Sequence, residues 1–286
     1  MKRLLTLLTA CFLPAQAAEE EQKEVDFVRV TEDGEETRLE TAITRFEKDG
    51  VSVDLIGAIH IADAAYYDGL EERFEDYEAL LYEGVGNPFP KNPPVIEGPE
   101  EPEDVVIEEF AKPSRNLDGL SSIYQKGADW LGLSYQMQEI DYGKANFVHA
   151  DLNFAEFREL QAERKESILG FAIKASFNSE VKHKEPSTFG LVRALVKRDK
   201  NLLKLQLVHT LGAGDDQVAT LAGDSVIISD RNERCLEVLE EQIAAGKTKL
   251  GIFYGAAHFP DMEERLVEDG WKRTREEWVT AWDLEG

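Results

Sequence analysis

The sequence predicts an α/β protein with a central mixed β-sheet flanked by helices. Two related units, each a strand followed by a Gly-x-x-His motif and a helix, are separated by a helical insertion. Residues 51–60 and 249–258 are similar apolar runs, rich in β-branched and aromatic residues, and each ends in Gly-Ala-x-His before a helical pattern. Residues 25–31 and 37–46 alternate between apolar and polar, with Asp-Gly turns at 33–34 and 49–50, which predicts antiparallel strands. Residues 154–222, between the two histidine units, show a mostly helical pattern.

The amino-terminal residues predict export. Residues 1–17 have a basic start, a short apolar stretch and the small-residue ending Ala15-Gln16-Ala17, as in a secretory signal peptide. We therefore expect a periplasmic or secreted protein whose residues 18–286 form one domain. Lipid attachment at Cys11 is the less favoured alternative, because the apolar stretch before it is short.

Charge and hydropathy limit the partners. The 286 residues carry a formal net charge of −25, with 57 acidic and 32 basic side chains. Such a balance opposes binding to nucleic acid, because phosphate contacts require an excess of Lys and Arg. No stretch after the signal reaches the roughly 20 apolar residues of a membrane-spanning helix, so we expect no membrane span in the mature chain. The oligomeric state stays open.

The first histidine unit predicts a βαβ arrangement. The Asp49-Gly50 turn leads into the strand that precedes His60, and Asp63 begins an amphipathic helix. Residues 79–83 read as the next buried strand. Right-handed crossover would make these two strands parallel neighbours and bring Glu83 to the same sheet edge as His60.

The middle of the chain is less regular. Residues 87–104 are proline-rich and acidic, which predicts a loop, either a lid beside a site or an insertion. Residues 146–151 read as a third strand that ends in polar residues. Asn153 with Glu156 matches a capping box before a long helix.

The second histidine unit follows a predicted helix. Residues 230–233 repeat the capping-box pattern, and Gly246 ends the helix. After the strand that leads to His258, a short helix is expected at 260–268. The alternating aromatics of residues 271–284 predict a closing hairpin.

The two histidines point to a metal centre. In open α/β sheets, ligands bind at the carboxyl ends of the strands, where His60, His258 and Glu83 are expected to converge. Two imidazoles and a carboxylate, with positions left for water, are typical of hydrolytic metal centres. The ligand types suit Zn, Mn, Co or Fe. Alternatively, Glu83 is a general base, or each histidine only caps its strand.

Three further residues are candidates at this edge. His149 and Asp151 end the third strand. They either orient a metal ligand or act as further ligands. Alternatively, Asp151 only helps to cap the next helix. Arg231 lies in the first turn of a helix, where a positive charge is disfavoured. It is either a catalytic or substrate-binding arginine or half of a surface salt bridge.

In their order along the chain, these motifs resemble the TraB/PrgY/GumN family. The resemblance rests on Gly57-Ala-Ile-His60, Glu83, His149-Ala-Asp151, Asp230-Arg231-Asn232 and Gly255-Ala-Ala-His258. That family is related to the Tiki proteases and, more distantly, to the erythromycin esterase and haem-binding ChaN proteins. The resemblance implies that His60 and His258 are the motif histidines of a metal-dependent hydrolase, with Glu83 and Arg231 in its active site.

The sequence therefore favours an exported metal-dependent hydrolase that cleaves peptide or protein substrates. Its cofactor would be a divalent metal ion such as Mn, Co or Zn. Metal ligation is expected from His60, His258 and Glu83, and catalysis from Glu83 and Arg231. The alternative is a binding protein that sequesters a peptide or a haem-like ligand without turnover.

Overall fold

The computed structural model describes five parts of the chain: residues 26–34, 36–86, 125–164, 200–212 and 225–285. A central mixed sheet of seven strands flanked by helices confirms the predicted fold class. The predicted signal peptide and the 87–104 loop lie outside the described residues. Of the helical insertion, the described segments 154–164 and 200–212 are helical, as predicted.

The elements are numbered in chain order over the described residues. The strands are β1 (Val28–Asp33), β2 (Glu36–Lys48), β3 (Val51–Ala58), β4 (Ile61–Ala62), β5 (Ala79–Tyr82), β6 (Ser134–Tyr135), β7 (Phe147–His149), β8 (Lys249–Gly255) and β9 (Lys272–Glu285). The helices are α1 (Ala64–Phe74), α2 (Gln136–Glu139), α3 (Phe154–Arg164), α4 (Lys200–Gly212), α5 (Arg231–Ala244) and α6 (Phe259–Glu268). Residues 125–131 are also helical.

The first three strands form the expected antiparallel meander. Asp49 and Gly50, between β2 and β3, have positive φ values of 50° and 85°. Both central residues of a type I′ hairpin turn need this left-handed conformation, which an aspartate tolerates and a glycine adopts without steric cost. The Asp-Gly signal in the sequence is therefore confirmed.

The parallel half of the sheet has the order β3-β8-β5-β7. The prediction that β3 and β5 are neighbours is wrong, because β8 lies between them and pairs with both in parallel. The crossover from β3 to β5 passes over one strand position. The four strands still end at one edge of the sheet, since Ala58 pairs with Gly255 and Tyr82 with His149.

The carboxyl-terminal residues form one strand, so the predicted closing hairpin is wrong. β9 runs antiparallel along one edge of β2, while β1 and β3 pair with successive parts of its other edge. Register shifts after Leu39 and Arg45 accommodate the long pairing. β2 is long enough to hydrogen-bond to β9 along nearly its whole length. Two short strands of a hairpin would leave part of the β2 backbone unpaired.

The two predicted capping boxes have different outcomes. Asn153 Oδ1 accepts the backbone N–H groups of Ala155 and Glu156, and the Glu156 carboxylate accepts the N–H of Asn153, so the first box is confirmed. The second is wrong. Asp230 makes no side-chain cap to α5, because a π-helical turn at Val226–Asp230 leads directly into that helix.

Aromatic side chains fill much of the core around the sheet. The largest fully buried side chains include Trp282, Tyr67, Tyr254, Phe46 and Phe74. Such rings remove the most apolar surface from water and are the main source of packing energy. Within the described parts of the chain, no helix is both long and apolar enough to cross a bilayer.

Candidate active site at the carboxyl ends of the parallel strands

The predicted site residues come from neighbouring strand ends. His60 follows β3, Glu83 follows β5, His149 ends β7, and His258 lies in a 3₁₀ turn directly after β8. Arg231 is the first residue of α5. The sheet therefore carries these side chains at one edge, as the sequence predicted.

Glu83 is held at both carboxylate oxygens. Its Oε1 accepts a hydrogen bond of 2.8 Å from Arg231 Nη2, and its Oε2 accepts one of 2.7 Å from the backbone N–H of Gly255. Burial alone would raise the pKa of Glu83. The positive charge of Arg231, together with the hydrogen bond from the Gly255 N–H, instead lowers this pKa well below its ordinary value. Glu83 is therefore ionised at neutral pH.

The glycine of the second Gly-x-x-His motif lies against Glu83. A Cβ atom at Gly255 would stand 3.3 Å from Glu83 Oε2 and 3.8 Å from the His258 ring. The backbone approach that allows the N–H of Gly255 to reach the carboxylate therefore leaves little room for a side chain. This close approach gives a physical reason for glycine at the end of β8.

Arg231 is a buried residue with two acidic partners. Its Nε and Nη2 donate to both oxygens of Asp151, at 2.6 to 3.2 Å, and Nη2 also reaches Glu83. Burial would lower the pKa of Arg231, but Asp151 and Glu83 raise it well above its ordinary value. The surface salt bridge considered for Arg231 is therefore wrong. The cap considered for Asp151 is wrong too, since Asn153 caps α3.

His258 is neutral and has a defined tautomer. Its Nδ1 lies 2.6 Å from Asn232 Oδ1, while the Asn232 amide nitrogen donates to the His258 carbonyl and to Asp261. The Asn232 oxygen is thus the acceptor, so His258 carries its proton on Nδ1. Burial lowers the pKa of His258 to about 4, despite the opposing charge of Glu83. Its Nε2 faces the site, 3.8 Å from Glu83 Oε1 and 3.4 Å from Arg231 Nη1.

His60 is held in the same way. Its Nδ1 lies 3.0 Å from Gln136 Oε1, and the Gln136 amide nitrogen donates to the Tyr142 hydroxyl at 2.8 Å. Because the Gln136 amide nitrogen donates to Tyr142, the Gln136 oxygen is the acceptor of the bond from His60. Nδ1 of His60 therefore carries a proton, as Nδ1 of His258 does. Each motif histidine thus bonds to a side-chain amide through Nδ1, and the unprotonated Nε2 of His258 accepts a long hydrogen bond from Arg231 Nη1.

His149 and Asp151 support the turn after Glu83. The Nε2 of His149 donates to the Gly84 carbonyl at 2.6 Å, and Asp151 Oδ2 accepts the Gly84 N–H at 2.8 Å. The two side chains therefore fix both backbone groups of Gly84. Gly84 directly follows Glu83, so the two side chains support the backbone next to a proposed ligand; that they orient a ligand or are further ligands stays a prediction.

The donor atoms suit a divalent transition metal in kind. Imidazole Nε2 atoms that are unprotonated, with Nδ1 bonded to an amide oxygen, are typical of metal-ligating histidines. The 3.8 Å between His258 Nε2 and Glu83 Oε1 allows both to contact one ion at about 2.0 to 2.2 Å. Among the described residues, no group of three or more His, Cys, Asp or Glu side chains is arranged to hold a metal ion. A centre with three protein ligands therefore stays a proposal.

Sequence reasoning did not assign roles to the two amide residues. Asn232 follows Arg231 directly, so its proximity to the site was visible, but its bond to His258 was not. Gln136 lies in the short helix α2, and 75 residues lie between it and His60 along the chain. No sequence signal pointed to that contact.

None of the protein-family models, curated proteins or solved structures compared with the chain matches it.

Proposed function

We propose that this protein is a metal-dependent hydrolase that cleaves peptide or protein substrates. The main support is the arrangement at the sheet edge, where the neutral His258 lies beside an ionised carboxylate and a buried arginine, and His60 follows the neighbouring strand. Hydrolytic metal centres use this combination of donors with an open position for water.

In this proposal, His60, His258 and Glu83 hold the metal ion. A divalent ion would supply Lewis-acid activation of a water molecule and of the substrate carbonyl. The lowered pKa of Glu83 suits a ligand better than a general base, because an efficient base has a pKa near the working pH. Gly255 and Arg231 orient the carboxylate for this role.

Arg231 supplies a fixed positive charge beside the reacting groups. Asp151 holds Nε and Nη2, and Nη1 is on the His258 side of the guanidinium. A charge held this firmly can stabilise the oxyanion that develops on a carbonyl during attack, without reorganisation. We assign this role to Arg231.

The substrate, family and location are parts of the same proposal. The order of the two Gly-x-x-His motifs, Glu83 and Arg231 supports membership of the TraB/PrgY/GumN family and, through it, a peptide or protein substrate. Export rests on residues 1–17 and their signal-peptide pattern.

Metal analysis of matched histidine variants tests the centre. We expect purified protein to bind one equivalent of Co²⁺ or Mn²⁺, and His60→Ala and His258→Ala each to lose metal binding and activity. His149→Ala is the matched control, since its ring donates to the Gly84 carbonyl, and it should keep the metal. Full occupancy in the His60→Ala/His258→Ala double variant would refute the centre.

Cleavage assays distinguish hydrolysis from sequestration. A peptide library is incubated with the protein, with and without a chelator, and the products are identified by mass spectrometry. Chelator-sensitive cleavage supports the hydrolase. Binding of peptides without cleavage, or a haem absorbance band in the purified protein, would favour the sequestering protein instead.

A further inference from the structure

A groove of about 650 Å³ lies at the opposite end of β3 from the candidate active site. β3 begins at Val51, which lines the groove, and ends at Ala58, just before His60. At about 3.3 Å per residue, these ends are about 23 Å apart. The groove extends along α5 as far as Glu233, two residues after Arg231, but His60, Glu83, Arg231 and His258 do not line it.

The floor of the groove is apolar. It is formed by side chains from α5, from the end of α6, from the start of β3 and from the residue before β9, namely Val51, Leu236, Leu239, Ile243, Leu266 and Trp271. Leu236, Ile243 and Val51 are only half-buried. Apolar surface gathered in a concave site, unlike scattered surface residues, is typical of interaction sites.

The rim of the groove is acidic. Glu233, Glu237 and Glu240 project along one side of α5, and Asp49 and Asp269 also line the groove. All five residues are exposed. Within the described parts of the chain, neither Glu233 nor Glu240 forms an ion pair, whereas Arg234 pairs with Glu237 at 3.0 Å. Negative charge therefore borders the apolar floor.

The cations of the groove are already neutralised. Lys48 pairs with Asp269 at 2.8 Å, and Arg265 pairs with Asp261 at 2.8 Å. Glu233 and Glu240 are consequently not balanced by the cations of the groove, whereas Glu237 shares its charge with Arg234. A partner that brings positive charge to them would complement the rim, and an apolar surface on the same partner would cover the floor.

We propose that this groove binds a cationic amphipathic helix of a partner protein. Residues 233–244 of α5 offer about 17 Å of groove wall, which corresponds to roughly three turns of a docked helix. Such a helix would place apolar residues at i, i+3, i+4 and i+7 on the floor. Lys or Arg residues flanking that stripe would pair with Glu233, Glu237 and Glu240.

A synthetic helix of Leu and Lys tests this proposal by fluorescence anisotropy. The labelled 14-residue peptide has a leucine stripe, and a second peptide has the same composition in scrambled order. We expect the striped peptide to bind at least tenfold more tightly than the scrambled one. The Glu233→Gln/Glu237→Gln/Glu240→Gln variant should weaken its binding at least tenfold.

A matched variant controls for the overall negative charge of the protein. The variant Asp68→Asn/Glu72→Gln/Glu75→Gln removes the same number of negative charges as the α5 variant. Its three positions, on α1 and the residue after it, lie outside the groove. It should alter peptide binding less than twofold. The proposal would be overturned if both triple variants weakened binding of the striped peptide equally. It would also be overturned if the scrambled peptide bound as tightly as the striped one, or if neither peptide bound. Dimerisation that only the α5 variant abolishes would also overturn it, because a second copy would then be the occupant.

Discussion

The guanidinium of Arg231 donates three hydrogen bonds, of 2.6 to 3.2 Å, to the two carboxylate oxygens of Asp151. The Asp151 side chain is fully buried, and that of Arg231 is 10% exposed. Glu83 is the second acidic partner of the same guanidinium. Asp151 therefore both compensates a buried charge and fixes the orientation of a residue that contacts the proposed metal ligand.

Asp151→Asn is expected to destabilise the fold. The amide keeps the shape of the side chain but removes the charge that compensates Arg231, and breaking a buried pair in this way costs about 3 to 5 kcal/mol. Urea denaturation would measure the change in the free energy of unfolding. Glu237→Gln, in the exposed pair with Arg234, is the control and should cost less than about 1 kcal/mol. Equal losses in both variants would contradict a structural role for the buried pair.

The gathering of the site residues was predictable because the carboxyl ends of parallel strands share one sheet edge. This rule placed His60, Glu83 and His258 at one sheet edge even though the neighbour relation between β3 and β5 was wrong. The error lay in assuming that consecutive parallel strands are adjacent. β8, which is distant in sequence, occupies the position between them.

The contacts that orient the site were not predictable from periodicity. Gln136 and Asn232 reach their histidines through tertiary packing, and neither spacing along the chain nor residue type signals such a bond. The burial of Arg231 is a similar case. Its position in the first turn of a helix was visible, but the partners that stabilise it there come from β5 and from the residues after β7.

The two amide residues are expected to select the histidine tautomers. In wild-type protein labelled with ¹⁵N-histidine, long-range ¹H–¹⁵N spectra should show His60 and His258 protonated at Nδ1. Asn232→Leu removes the acceptor of His258 and should shift that ring to a mixture of tautomers. The lost hydrogen bonds should also cost about 1 to 3 kcal/mol of stability.

Gln136→Leu is the reciprocal control for that experiment. It should change the tautomer of His60 and leave the His258 signals at their wild-type positions, because Asn232 and Gln136 contact different rings. Protonation of His258 at Nε2 in the wild-type protein would contradict the arrangement. So would a change at both rings in either variant.

Gly255→Ala is expected to disturb Glu83 without unfolding the protein. The φ of Gly255 is −51°, which alanine adopts readily, but the added Cβ would stand 3.3 Å from Glu83 Oε2. Displacing this carboxylate should lower Co²⁺ affinity by roughly 10- to 100-fold, the range for altered groups that support metal ligands. Absorption spectroscopy during Co²⁺ titration would measure the change.

Gly69→Ala is the matched glycine control. A Cβ at Gly69, inside α1, meets no atom within 4 Å. Because alanine favours a helix interior, this variant should gain about 0.5 to 1 kcal/mol of stability and keep the wild-type Co²⁺ affinity. Wild-type affinity in Gly255→Ala would show that the close approach at residue 255 is not needed for the metal centre.

Glu263→Gln is expected to stabilise the protein as the pH rises. Burial raises the pKa of Glu263, and the positive charge of Arg273 opposes this increase only in part. Among the described residues, the buried Oε2 atom of Glu263 has no hydrogen-bond partner. The raised pKa means that the fold favours the neutral acid, so stability from this group is present at low pH and lost as pH increases through its folded pKa. The variant should therefore match wild type near pH 4 and exceed it by about 1 kcal/mol at pH 7. Urea denaturation at both pH values checks this against Glu264→Gln, an exposed neighbour with the same charge change. A variant less stable than wild type at pH 7 would mean that the pairing with Arg273 outweighs the effect of burial.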